Sequence, residues 1–123
     1  MKWITKLKLC IMAKLFVSAV GEDTIAAPGN AQRTYVIVSV EDSTGNPVTG
    51  MTAPNFQLGT EIVGPGGSTS SIQSVSNGKL AGIYLLSVIP LAGQTWKSGV
   101  YIFSVAVTRN ADKGQALCSF LMD

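Results

Sequence analysis

Histidine is absent from this chain of 123 residues, and charged residues make up only 13% of it. The commonest general base and the commonest metal ligand are therefore missing. Serine and threonine are plentiful, but a serine nucleophile needs a base. Only a Ser-Lys arrangement remains open, and neither Lys79 nor Lys97 has an apolar pocket visible beside it. The composition thus points away from an enzyme. Cysteine is limited to Cys10 and Cys118, which lie far apart and fit neither a zinc spacing nor a C-x-x-C redox motif. No apolar run reaches the ~20 residues of a membrane span, and no cofactor motif is present. Low charge combined with 46% hydrophobic residues excludes the composition of a disordered chain. The length suits one domain rather than two.

The charge that exists is unevenly placed. Residues 1–30 carry Lys2, Lys6, Lys8 and Lys14 against Glu22 and Asp23, so the whole excess of +2 resides there. Residues 31–123 balance five basic against five acidic side chains. A neutral domain with scattered charges lacks the electrostatic footprint of a nucleic-acid binder.

Residues 1–20 run basic, then apolar, then small, the order of a secretory signal, with Val17-Ser18-Ala19 as the small-residue site. On this reading the mature protein begins near Val20 and is secreted or periplasmic. Lys14 interrupts the apolar run. A second reading is a short amphipathic helix with Ile4, Leu7, Ile11 and Leu15 at near-helical spacing, and a third is a non-native start or a decayed leader. Residues 21–33, small and polar around a Pro-Gly, read as a linker. The expected sandwich then occupies residues 34–123.

What fills those residues is a series of short apolar runs punctuated by Gly and Pro. Residues 34–42 (TYVIVSVED) set Val36, Val38 and Val40 on one strand face. Residues 54–58 place Phe56 and Leu58 together, with Pro54 at an edge or a strand start. Residues 60–63 are a brief strand candidate, 64–68 a glycine-rich loop, and 71–76 a weak strand exposed on one side. Asn77-Gly78 is the strongest tight-turn dipeptide. Residues 82–89 and 99–108 are the two strongest strands. AGIYLLSV (81–88) echoes SGVYIFSV (98–105), as if the two formed the middle of a sandwich. Both faces of 99–108 are largely apolar, which predicts a strand buried on both sides or central in its sheet. Residues 109–114 read as a polar hairpin loop and 115–122 as a closing strand, with Cys118 on its apolar face beside Ala116, Phe120 and Met122. About seven strands with turn signals every 8–12 residues are the pattern of an antiparallel all-β sandwich or barrel.

Three sets of residues are candidate sites. Glu41-Asp42 with Ser43, Thr44 and Asn46 offers oxygen ligands for calcium, but calcium sites usually recruit more carboxylates. A turn closed by Asp42 on its own backbone fits the same residues. Residues 64–67 lack the Lys-Ser/Thr and the helix of a phosphate loop. Tyr84, Trp96 and Tyr101 suit either a sugar-stacking platform or a core, where the two tyrosines would act as structural corners. Trp96 and Lys97, in the connection before residue 99, are the candidate ligand-binding residues, with Trp96 also suited to capping the end of the core.

VSVEDSTGNPVTGMTAPNF resembles the opening V-x-D-x-x-G-x-P-V-x-G-L-x-x-x-N/D-F of bacterial extracellular immunoglobulin-like modules of the invasin-like, macroglobulin-like and carboxypeptidase-regulatory-like kinds. Asp42, Gly45, Pro47, Val48, Gly50, Asn55 and Phe56 match it, with Met51 in place of Leu. The resemblance implies an immunoglobulin-like sandwich in an extracytoplasmic setting and carries no catalytic residue across. The expected function is a non-enzymatic binding or structural module with a protein or glycan partner, without nucleic acid or a stable membrane span. The alternative is a small hydrolase-like or metal-assisted enzyme using the 42–46 and 94–97 loops. A phage or particle component is a third possibility.

Overall fold

The computed structural model describes residues 14–22, 33–59, 64–65, 70–91 and 93–122. Among these, seven strands form two antiparallel sheets: β1 (Phe16–Gly21), β2 (Thr34–Glu41), β3 (Phe56–Gly59), β4 (Ser70–Asn77), β5 (Ile83–Pro90), β6 (Gly99–Arg109) and β7 (Asp112–Met122). One sheet has the order β1-β2-β5-β4 and the other β3-β6-β7. The architecture is an all-β sandwich. No helix among the described residues is long and apolar enough to cross a membrane.

Alternation explains the layers. In β2, Val36, Val38 and Val40 are fully buried while Ile37 and Glu41 face out. β5 contributes Tyr84, Leu86 and Val88 to the same interior; Tyr101, Phe103, Val105 and Val107 of β6 and Cys118, Phe120 and Met122 of β7 meet them from the other sheet. Each such side chain removed from water stabilises the fold by about 1.5–3 kcal/mol for the larger apolar types. The echoing strands β5 and β6 are therefore not neighbours in one sheet. Each is an inner strand of its own sheet, flanked on both edges, because an apolar inner face on each needs an opposing layer.

Several boundaries differ from those the sequence predicts. Pro54 lies in a single 3-10 turn, Ala53–Asn55, ahead of β3 rather than within a strand. Asn77 is the last paired residue of β4, opposite Tyr84, and the connection spans 78–82 instead of turning at Asn77-Gly78. Gly78 N–H donates to the Ile83 carbonyl (2.7 Å) across that loop. Gly82, at φ +77°, closes it where a Cβ would strike Pro47 and the Val40 carbonyl, so only glycine fits. The hairpin between β6 and β7 is tighter than the six-residue loop expected. Arg109 pairs with Asp112, and Asn110 takes the left-handed conformation (φ 56°) that Asn tolerates. The strand candidate at 60–63 lies outside the described residues.

The largest difference is at the N-terminal end. Residues 16–21 pair with β2 over six positions, from Phe16↔Glu41 to Gly21↔Val36. A sandwich starting at residue 34 would leave that edge open. Residues 16–21 are extended, so the helical alternative does not hold there; residues 1–13 lie outside the described set. Leu15 is buried in the core, and its N–H donates to the Lys113 carbonyl of β7 (2.8 Å). The chain thus runs first beside β7 and then along β2, closing one side of the sandwich. Gly21 sits so close to Ser119 that a Cβ would overlap its carbonyl.

Candidate functional site

The sheets place the two loops of the enzyme alternative at opposite ends of the sandwich. Thr34 pairs with Val88 and Ser39 with Ile83. The 42–46 turn, which follows β2, therefore shares an end with the 78–82 loop. The 94–97 segment follows β5 and lies at the other end.

At the first end, Asp42 closes the turn on itself. Its Oδ1 accepts from the Thr44 hydroxyl (2.6 Å), the Thr44 N–H (2.9 Å) and the Asn46 N–H (3.0 Å). The Thr44 hydroxyl, followed by the two backbone N–H groups and a smaller contribution from Arg109, holds the carboxyl below its ordinary range. One oxygen of the carboxylate is thus committed to local structure. Among the described residues no group of three His, Cys, Asp or Glu side chains is placed to hold a metal ion. Tyr84 is buried behind this end. Its hydroxyl donates to the Val48 carbonyl (2.6 Å) and accepts from Met51 N–H (3.3 Å), tying the 48–51 turn to β5.

At the second end, Trp96 is only 1% exposed. Its ring meets Tyr101 edge-on at 5.0 Å and Phe120 edge-on at 5.4 Å, an arrangement that aromatic quadrupoles favour. Tyr101 stacks on Phe120 at 5.2 Å and accepts a hydrogen bond from Lys97 N–H at its hydroxyl (2.9 Å). A tyrosine at a strand start that holds the backbone a few residues upstream is a tyrosine corner. The ring that was the candidate stacking surface therefore caps the core, and only Lys97 of the pair is exposed. Tyr84, Trp96 and Tyr101 do not assemble into one platform; Tyr84 stands at the opposite end.

What the sequence reading missed is the apolar character of the outer faces. Val20, Ile37, Val100 and Leu117 are all 46% exposed or more. The signal was available in the doubly apolar 99–108 stretch: β6 is central in its sheet, yet its outward Val100 is 52% exposed. A groove of about 490 Å³ runs along the seam between β1 and β7, lined by Val20, Gly21, Ile102, Leu117 and Ser119 among others. Cys118 lies beneath it, 5% exposed, with its thiol pushed up to about 11 by burial.

These features define a small antiparallel β-sandwich with an aromatic cap at one end and apolar outer faces. Comparison with protein-family models, curated proteins and solved structures gave no match to this chain.

Proposed function

We propose that the chain is an immunoglobulin-like module that works outside the cytoplasm by binding or structural contact, without chemistry of its own. The strand order carries this reading. β1-β2-β5-β4 against β3-β6-β7 is the ABED and CFG arrangement of a constant-type immunoglobulin sandwich. The tyrosine corner falls on the sixth strand, where that fold has one. The disulfide between the second and sixth strands of antibody domains has no counterpart: valines and Phe103 fill that space, and the tryptophan precedes the sixth strand. Packing takes over the work of the bridge.

The basic and then apolar character of residues 1–13 supports export. The place of β1 supports a folded module that keeps residues 15–21. A cut after Ala19 would remove four of the six β1–β2 pairs and the buried Leu15. Expression of the full chain in a secreting host, followed by intact mass of the exported product, tests both points. The expected product starts at or before Lys14. Recovery from the cytoplasm alone would remove the extracytoplasmic assignment, and a product starting near Val20 would show that β1 is dispensable. Capture of a protein or glycan from the extracytoplasmic fraction, with Lys97→Glu as a control, addresses the partner.

A further inference from the structure

The outer face of the β1-β2-β5-β4 sheet is apolar at its centre, and its inner strand β2 runs from a cation at one end to an anion at the other, with the exposed Glu22 beside Tyr35 at the cation's end. Val20 pairs with Ile37 and Ile37 with Leu85, so three adjacent strands present one unbroken apolar row. Tyr35, Ile83 and Ile89 lie on the same side and extend it. An antiparallel sheet facing water normally alternates apolar-in with polar-out. This one does not, and a contiguous exposed apolar patch marks a contact surface.

The charges select the partner. Along β2 the outward series is Tyr35, Ile37, Ser39, Glu41. Glu41 is exposed at one end, and at the other the Arg33 guanidinium lies 5.8 Å from the Tyr35 ring centroid, on that same face. The cation and the anion stand eight residues apart, about 26 Å of strand, with Ile37 midway. We propose that this face docks on the same face of a second copy of the chain. A twofold axis lying in the interface and crossing β2 near Ile37 runs the facing β2 strands antiparallel. It sets Arg33 of each copy over Glu41 of the other and stacks the two apolar rows. Three strands of about this length and the shorter β1 cover roughly 500 Å² per copy, about 1,000 Å² in all, the size of a weak, reversible interface. The outer face of the other sheet has apolar residues too, but its charge is Lys113, at one end, with no acid on that face of β6 or β7 to answer it. It is not self-complementary.

The inference goes beyond the proposed function and does not depend on where the protein works. Sedimentation velocity on the full chain from about 1 µM to about 1 mM tests it. The expected result is a monomer–dimer equilibrium. Ile37→Lys, at a position already 46% exposed, raises the dissociation constant at least about tenfold, and Val100→Lys on the outer face of the opposite sheet leaves it unchanged. Arg33→Glu weakens the dimer, and Arg33→Glu combined with Glu41→Arg restores it, because the swap keeps each intermolecular pair opposite in sign. That restoration decides the matter should Ile37→Lys prove unfolded by thermal melting. A monomer throughout the range overturns the proposal and leaves the face to a different partner. So does a dimer indifferent to charge reversal, or one abolished by Val100→Lys alone.

Discussion

Tyr101 secures the aromatic end of the sandwich twice, with its ring between Trp96 and Phe120 and with its hydroxyl on the Lys97 backbone. Truncation to alanine removes a fully buried ring, and Tyr101→Ala is expected to cost roughly 3–5 kcal/mol. Tyr101→Phe keeps the ring and leaves the Lys97 N–H without that acceptor, a smaller loss of about 1 kcal/mol. Urea denaturation of both variants checks the order; equal effects would mean the ring is not in the core. Cys118 is the other residue whose setting makes a measurable claim. Its thiol is raised to about 11 from an ordinary value near 9.0 because burial disfavours the thiolate. The native state therefore holds the proton more tightly than the unfolded chain. This contribution is fully present below about pH 9 and is lost progressively as the pH rises from about 9 to about 11. Relative to Cys118→Ala, the parent should lose stability across that window. Thiol labelling at neutral pH should be slow and should accelerate with denaturant. Rapid labelling of Cys118 in the native protein, read in a Cys10→Ser background, would contradict the burial.

Among the elements, β2, β5, β6 and β7 were legible because each sets at least three apolar residues at every second position along one face. The buried faces carry the residues the pattern assigned to them: Val36, Val38 and Val40; Tyr84, Leu86 and Val88; Cys118, Phe120 and Met122. β1 was not legible. It is an edge strand in which no residue is fully buried, so the period-2 signal is weak. Its Phe, Val and Ala content also serves a leader equally well. The aromatic cap was half legible: Trp96 looked available because it sits in a connection, and the pairing with Tyr101 and Phe120 that buries it depends on β7 returning beside β6. The two-loop enzyme site could not be judged from spacing, since only the pairing of β2 with β5 puts its halves at opposite ends. The prediction at this scale concerns β1. Leu15→Ala should destabilise by about 2 kcal/mol, the low end for a buried leucine, because it lies at the side of the core. An unchanged urea midpoint would mean residues 15–21 are outside the folded unit.

At the scale of the molecule, the described residues form two antiparallel sheets packed face to face, with apolar side chains on both outer faces. The central structural claim is that the two echoing strands, successive in sequence, belong to opposite sheets. A sequence reader could equally pair them as a hairpin, with the echo in register. Nuclear Overhauser contacts between backbone α-protons of facing strands distinguish the two arrangements directly, because such protons approach closely only across an antiparallel ladder. The expected map links β5 to β2 and β4, links β6 to β3 and β7, and shows Ala19 adjoining Val38 across β1 and β2. A continuous ladder of backbone contacts between β5 and β6 would contradict the sandwich, and with it the functional reading that rests on its strand order.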